Sequence, residues 1–278
     1  MSYKIVADSC CEFPEGYEKD SRYERVALRL DVEDEVFIDD ESFDQAKFLK
    51  SVAKSAECPK SSCPSPEAFR EAYRTDAENV FVFTLSSHLS GSYNSAELGK
   101  KLYHEKYGDK NIFVCDSESA SCGETQLAFK TVEWSKEGCS FEEICQRLVE
   151  YRDKMKTYFV LDNLETLRKN GRLTGIKAFV ATTLNIKPVM SATKGVIIQI
   201  GQAIGTQKAL AKMAEAVARE SVHPEEKMLM ITHCNCRERA EKVKEMILEK
   251  IRVKDVLIMD TKGVSSMYAN DGGVIVTL

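Results

Sequence analysis

Short apolar segments that alternate with helical segments constrain the fold of this chain more than any other feature. Three of them lie in the first half, at residues 4–7, 80–85 and 111–115. Each is apolar at almost every position, which is typical of a strand buried on both faces of a parallel sheet. Strands of this kind separated by helices predict a Rossmann-like α/β domain, with a parallel sheet between two layers of helices.

Helix starts between these strands carry recognisable signals. A serine followed three residues later by glutamine or glutamate predicts a capping box at Ser42 and again at Ser140. Ser65 precedes Pro66, which places a capping hydroxyl before a proline at the first helical position. These signals predict three helices in the first half of the chain.

The pattern changes near residue 157. Residues 157–161 predict a strand, residues 163–169 a helix, and residues 186–190 and 196–200 two paired strands around the Lys194-Gly195 turn. The remaining segments are a helix at 206–219, a strand at 228–232, a helix at 237–251, a strand at 255–259 and an apolar segment at 272–278. We therefore predict two domains, Rossmann-like over residues 1–157 and α+β over residues 158–278.

Charge and apolar run lengths limit the classes of partner. Lys and Arg number 39 against 44 Asp and Glu, a net charge of −5, which disfavours nucleic acid or an anionic membrane surface as the main partner. No apolar run approaches the roughly 20 residues of a membrane span, so we expect no stable membrane insertion. The N-terminus does not resemble a secretory signal, and the ten cysteines are expected to be reduced thiols in a cytoplasmic protein.

Several familiar chemistries lack their motifs. The sequence contains no G-x-x-x-x-G-K-[ST] phosphate loop and no G-x-S-x-G nucleophile elbow. His233, Cys234 and Cys236 form the only metal-like cluster, but one histidine beside Cys-x-Cys lacks the pairing typical of zinc sites. We predict no catalytic residue, no metal and no cofactor.

Two loops instead favour an anion site. Residues 60–66 and residues 85–96 both carry several serines and both lead into a predicted helix. Free backbone N–H groups and the positive end of the helix dipole favour an anion at such a position. Lys60 is the only lysine or arginine in either loop, so one carboxylate suits them better than a polyphosphate. Alternatively, each serine serves only turn and cap geometry.

Motifs distributed along nearly the whole chain resemble those of the DegV family. They are Asp8-Ser9, residues 61–66 (SSCPSP), residues 85–93 (LSSHLSGSY), Asp116-Ser117, residues 164–173 (LETLRKNGRL), residues 184–189 (LNIKPV) and residues 207–209 (QKA). Their order along the chain makes the resemblance specific. It implies a DegV-like fold of two α/β domains, in which the second domain completes a lipid tunnel.

The resemblance also implies a function. Proteins of that family bind a long-chain fatty acid and present its carboxyl group to a separate fatty acid kinase, which forms an acyl-phosphate for phospholipid synthesis. The family's carboxyl-binding hydroxyls correspond here to Ser61 or Ser62 and to Ser90. Arg172 matches a Gly-Arg motif near the mouth and is a candidate contact for the kinase or its phosphate, or else a solvated cation after a helix.

One position departs from the family pattern. Many relatives carry a histidine near the C-terminus that faces the carboxyl group, and Met267 is the residue we expect at that place. Methionine cannot donate a hydrogen bond or carry charge. Binding needs only hydroxyls and an apolar tunnel, whereas transfer to the kinase could depend on the histidine. The alternative function is a small-molecule hydrolase or transferase that acts at the serines at the strand ends.

Overall fold

A computed structural model describes residues 1–173 and 185–278, so Leu184 of the 184–189 motif lies outside the described residues. In chain order the strands are β1 (Tyr3–Asp8), β2 (Tyr23–Val26), β3 (Arg29–Val32), β4 (Glu35–Ile38), β5 (Lys60–Ser62), β6 (Asn79–Thr84), β7 (Asn111–Asp116), β8 (Thr157–Val160), β9 (Ile186–Thr193), β10 (Val196–Ile204), β11 (Met228–His233), β12 (Asp255–Asp260) and β13 (Val274–Thr277). The helices are α1 (Gln45–Lys54), α2 (Pro66–Ala72), α3 (Ser92–Tyr107), α4 (Cys122–Lys136), α5 (Phe141–Lys154), α6 (Glu165–Lys169), α7 (Thr206–Glu220), α8 (Arg237–Leu248) and α9 (Gly263–Ala269).

The three apolar segments of the first half form one parallel sheet. Its strand order is β2-β1-β6-β7, and all three pairings are parallel. Ile5 and Phe81 point to a layer that contains Leu127 of α4 and Leu148 of α5. Neighbouring strand residues point to the opposite layer, which contains α2 and α3. Burial of both faces explains the continuous apolar runs, and the Rossmann-like prediction is confirmed.

A small antiparallel sheet of three strands was not predicted. Its order is β4-β3-β5, and β5 contributes only Lys60, Ser61 and Ser62. Leu30 of β3 pairs with Ser61 and is fully buried. The loop expected at residues 60–66 therefore begins with strand β5, which pairs antiparallel with β3.

Strands from the second half form a mixed sheet of six. Its order is β10-β9-β8-β13-β11-β12, in which β11 and β12 are parallel and the other pairs are antiparallel. The predicted hairpin of β9 and β10 and the predicted helix α7 are present. One face of the sheet packs on α7 and α8 around Leu210 and Val243. These observations confirm the α+β expectation, while the boundary at residues 157 and 158 stays a prediction.

Helix caps agree with the sequence signals in two of three places. Ser65 accepts a hydrogen bond from the backbone of Ala68, and Ser140 forms the complete capping box with Glu143. The capping box expected at Ser42 is wrong, because Asp44 caps α1 by accepting from the backbone of Lys47. None of the described helices combines the length and the apolarity that a membrane span requires.

Candidate functional site

A cavity lies between the two halves of the molecule, and it encloses about 820 Å³ of space when the open solvent at its mouth is included. Its walls combine the loops after β1, β6 and β7 and helix α9 with the inner face of the six-stranded sheet. The apolar lining includes Leu28, Leu85, Leu89, Phe159, Leu161, Leu167, Ile197, Val264 and Ile275. Such a lining suits a long apolar ligand.

Strand β5 decides which of two adjacent serines faces this cavity. Ser61 lies in the cavity wall and is half-buried, whereas Ser62 is exposed and does not line it. Successive side chains of a strand point to opposite faces, so only one of the two can face the cavity. The family resemblance left Ser61 and Ser62 as alternatives. The structure places Ser61 in the cavity wall and Ser62 outside it.

Ser90 lies in the same wall, where the loop after β6 enters helix α3. Its hydroxyl accepts a hydrogen bond from the backbone N–H of Ser92 at 3.2 Å and donates to the Ser92 hydroxyl, also at 3.2 Å. A serine hydroxyl hydrogen rotates freely between acceptors, so this donor can turn toward a ligand. The predicted anion loop at residues 85–96 thus contributes the Ser90 hydroxyl to the cavity, beside the apolar side chains of Leu85 and Leu89.

Arg172 supplies a cation at this end of the cavity. Its Nε donates to the carbonyl of Leu89 at 3.1 Å, and its Nη1 donates to the carbonyl of Asn170. Nη2 has no acceptor among residues 1–173 and 185–278, and within those ranges no carboxylate pairs with this guanidinium. The arginine is therefore held in place by backbone carbonyls while part of its hydrogen-bonding capacity remains for an anion.

Tyr268 completes the polar end and was not predicted from the sequence. Its hydroxyl lies 3.1 Å from the Ser61 hydroxyl, and the Arg172 guanidinium carbon lies 5.8 Å from the centre of its ring. Burial raises the pKa of this phenol above its usual value of 10, although the Ser61 contact and the Arg172 charge oppose the shift. Tyr268 therefore remains a neutral hydrogen-bond donor at physiological pH.

The expectation that Met267 faces the ligand is wrong. This side chain is fully buried in an apolar cluster with Leu85, Leu28 and Phe48, and it does not line the cavity. Residues 263–269 form helix α9, and neighbouring positions of a helix point about 100° apart. Tyr268, one residue further on, is the side chain that this helix presents beside Ser61.

Elsewhere the polar residues of the cavity wall already have partners. Glu118 lies 3.7 Å from Arg152, so its charge is compensated. The hydroxyls of Ser119 and Thr157 are 2.6 Å apart, and those of Ser121 and Thr232 are 2.7 Å apart. A ligand in this region thus meets an essentially apolar surface.

A catalytic serine would need a base in contact with its hydroxyl. In the part of the chain that the structure describes, Ser61 contacts Tyr268 and Ser90 contacts Ser92, and neither contacts a histidine or a carboxylate. Ser121 does contact the Glu12 carboxylate at 2.6 Å, but it is fully buried and held by Thr232 as well. The geometry at Ser61 and Ser90 suits binding rather than acyl transfer.

Comparisons with known proteins agree with this architecture. The family model described as "Uncharacterised protein, DegV family" matches residues 2–277. A DegV domain-containing protein of Streptococcus pyogenes serotype M1 is 36% identical over an alignment of 282 positions, which covers 99% of this chain and 98% of the relative.

Solved structures of similar proteins contain fatty acids. A DegV family protein from Ruminococcus gnavus, refined with vaccenic acid, is 51% identical over 100% of this chain and 99% of its own, with a TM-score of 0.97. The fatty acid kinase (Fak) B3 protein of Streptococcus pneumoniae, loaded with linoleic acid, is 32% identical over 100% and 99% of the two chains, with a TM-score of 0.89. The chain described here belongs to the DegV family.

Proposed function

We propose that this protein binds one long-chain fatty acid in its cavity, with the carboxylate at the polar end formed by Arg172, Ser61, Ser90 and Tyr268. The observation that carries the proposal is a cation without an acidic partner among the described residues, at one end of a cavity whose remaining wall is mostly apolar. The polar groups in that remaining wall are paired with one another or with neighbouring residues. The fatty acids in the related structures agree with this assignment.

The two parts of the ligand contribute differently to binding. Burial of a methylene group stabilises the complex by about 0.8 kcal/mol, so a long tail provides most of the affinity. A hydrogen bond to a charged group adds roughly 1.5–3 kcal/mol and fixes the orientation of the ligand. The polar end therefore determines which end of the lipid remains near Arg172.

We also propose that the bound acid is presented to a separate fatty acid kinase. The similarity to the Fak B3 protein supports this step, and the chain carries no phosphate loop of the usual sequence. In the kinase reaction a carboxylate oxygen attacks the γ-phosphorus of ATP, ADP leaves, and an acyl-phosphate forms. Arg172 is the candidate contact for the kinase or for the transferred phosphate.

A comparison of palmitate with hexadecanol tests the head-group assignment. The two ligands share their chain length and differ in the carboxylate. Delipidated protein should bind palmitate about 10-fold or more tightly than hexadecanol, because only the acid forms charged hydrogen bonds with Arg172. Arg172→Gln should remove most of this preference, whereas Arg168→Gln, on the exposed surface and paired with Glu165, should retain it. Equal affinity for the two ligands in the unsubstituted protein would contradict the assignment.

The kinase step is tested by mixing the loaded protein, ATP and the kinase subunit of a bacterial fatty acid kinase. Acyl-phosphate, trapped with hydroxylamine as the hydroxamate, should form only when all three are present. Formation without the kinase subunit, or its absence from the complete mixture despite bound fatty acid, would overturn this step. The binding proposal is tested separately by the two lipids above.

A further inference from the structure

Four acidic side chains are buried near the carboxyl end of the parallel sheet, behind the cavity. Asp8, Glu12, Asp39 and Glu124 are each at most 1% exposed. Burial raises the pKa of Asp8 to about 6 and that of Glu12 to about 7, and it also raises the pKa of Asp39. Such groups must be compensated by hydrogen bonds, by protons or by a cation.

Three of these carboxylates have hydrogen-bond donors. Asp8 accepts from the backbone N–H groups of Cys10 and Leu85, at 3.1 Å and 2.8 Å. Glu12 accepts from Ser121 at 2.6 Å and from the backbone of residue 262 at 3.2 Å. Asp39 accepts from three donors, two of them backbone N–H groups.

Glu124 differs from the other three. Neither of its carboxylate oxygens has a hydrogen-bond partner among the described residues, although the side chain is fully buried in the first turn of α4. Burial, together with the charges of Asp8 and Glu12, raises the pKa of Glu124 well above its usual value of 4.5. An ionised, unpartnered buried carboxylate costs several kcal/mol, so this side chain either holds a proton or binds a cation.

Glu124 points toward two other groups that bind metals. One ligand atom each from Asp8, Cys10 and Glu124 all lie within 4.8 Å of one another, a separation that one ion can span. Within the described residues no basic side chain forms an ion pair with Asp8 or Glu124, so a cation here would meet no competing charge. The thiol also accepts a hydrogen bond from the backbone N–H of Ser121 at 3.3 Å, which would hold a coordinating sulfur in place.

We propose that Asp8, Cys10 and Glu124 bind a divalent transition-metal ion of the Zn²⁺ class. A thiolate beside two carboxylates suits Zn²⁺, whereas Mg²⁺ and Ca²⁺ prefer oxygen ligands alone. Three protein ligands leave the fourth position of a tetrahedral site to water. Binding displaces the thiol proton and any proton held by Glu124, because ligands coordinate in their deprotonated forms.

This site departs from the sequence expectation of no metal. Its residues lie at positions 8, 10 and 124, so no local spacing reveals them, and only the packing of α4 against the end of β1 brings them together. The second group of potential ligands, His223, Glu225 and Glu226, is fully exposed and lacks a buried unpartnered group. Cys10 also lines the cavity, so the ion would lie beside the lipid site without depending on it.

The test uses the full chain, stripped of metal with a chelator and then titrated with Co²⁺ and Zn²⁺. Unsubstituted protein should bind one ion per chain, and Co²⁺ should produce a near-ultraviolet charge-transfer band from thiolate ligation. Glu124→Gln preserves side-chain shape and should weaken binding about 100-fold or more, since even loss of a supporting contact costs 10–100-fold. Cys10→Ser should abolish the charge-transfer band.

The matched control is Glu225→Gln, which removes one potential ligand from the exposed group of His223, Glu225 and Glu226. It should leave the metal affinity and the charge-transfer band unchanged. Circular dichroism establishes that each variant is folded, and Glu124→Gln alone decides the question if Cys10→Ser is unstable. The proposal is overturned if the unsubstituted protein binds no more tightly than Glu124→Gln, or if Glu225→Gln loses the ion. Equal metal affinity of the unsubstituted protein and Glu124→Gln would mean that protons, and not a metal ion, neutralise the buried acids.

Discussion

Side-chain direction at single positions determines the polar end of the cavity. Ser61 and Ser62 are neighbours in β5, yet one lies in the cavity wall and the other is exposed. Tyr268 and Met267 are neighbours in α9, and again only one of them reaches the cavity. The adjacent Ser61 and Ser62, which have the same side chain, therefore provide a matched comparison.

Alanine at Ser61 or at Ser90 should weaken fatty-acid binding by about 10- to 100-fold, since each loses a hydrogen bond to a charged group worth roughly 1.5–3 kcal/mol. Ser62→Ala should leave the affinity unchanged, because its side chain lies outside the cavity. Calorimetric titration of the three delipidated variants measures these effects. An effect of Ser62→Ala as large as that of Ser61→Ala would refute the assignment of the cavity-facing serine.

The sequence predicted part of this polar end. The resemblance to the DegV family identified Ser61, Ser90 and Arg172 as candidates, and the structure places all three in the cavity wall. Tyr268 could not be identified, because the sequence does not predict helix α9 and the family resemblance points to Met267 as the position that faces the ligand. One residue of offset in a helix moves a side chain from a cavity wall into the apolar core.

Two helices hold the serine loops at a fixed separation. Helix α2 begins at Pro66, after the loop that follows Ser61, and helix α3 begins at Ser92, two residues after Ser90. The two helices pack where Gly99 meets α2. A Cβ atom at Gly99 would lie 2.7 Å from the carbonyl oxygen of Pro66 and 2.9 Å from Cβ of Phe69.

Gly99→Ala should therefore push α2 away from α3 and cost roughly 1–3 kcal/mol of unfolding free energy, as overpacking of a close contact does. Because the helix starts move with the helices, fatty-acid affinity should fall as well. Denaturant unfolding and lipid titration measure the two effects. Lys101→Ala, at an exposed position of the same helix, is the comparison and should leave stability and affinity nearly unchanged. Unchanged stability and affinity in Gly99→Ala would contradict the role of this contact.

Elements with strong periodicity could be predicted, and short elements held by tertiary pairing could not. Strands β1, β6 and β7 carry apolar runs that only burial on both faces explains. Strand β5 contains one lysine and two serines, so nothing in its own sequence favours a strand. The cap at Asp44 rather than Ser42 has a local cause, because the Ser42 hydroxyl donates a hydrogen bond to the carboxylate of Asp40, two residues earlier, at 2.6 Å.

The buried acids couple the stability of the whole molecule to pH. Folding raises the pKa of Glu12 from 4.5 to about 7, mainly through burial. Between these pH values the folded state holds a proton that the unfolded state has released, so the free energy of unfolding falls as pH rises. At about 1.4 kcal/mol per pH unit, the decline due to Glu12 amounts to about 3 kcal/mol.

Glu12→Gln should make the decline in unfolding free energy between about pH 5 and pH 8 shallower by the part due to Glu12, while the other buried acids keep their contributions. Denaturant unfolding at several pH values, with a chelator present to exclude metal effects, measures the profile. Glu57→Gln, at an exposed position, should leave the profile as it is in the unsubstituted protein. A profile for Glu12→Gln as steep as that of the unsubstituted protein would show that Glu12 titrates normally.

The cavity is a property of the assembled molecule. Its walls come from the parallel sheet's loops, the small sheet, α9 and the six-stranded sheet, so residues more than 200 positions apart face each other. Gly195 shows how closely the halves approach, since a Cβ there would lie 2.3 Å from the Ser86 hydroxyl oxygen. Sequence periodicity identifies the parallel strands and the hairpin of the six-stranded sheet but not β5 or α9, and it cannot specify the space between these walls.

Mass spectrometry of lipids extracted from the purified protein tests the central claim most directly. The protein is isolated without added lipid, extracted with organic solvent, and compared with an Arg172→Gln variant prepared in the same way. We predict about one long-chain fatty acid per chain from the unsubstituted protein and clearly less from the variant. Extracts without fatty acid from protein that also fails to bind added palmitate would contradict the claim that this cavity is a fatty-acid site.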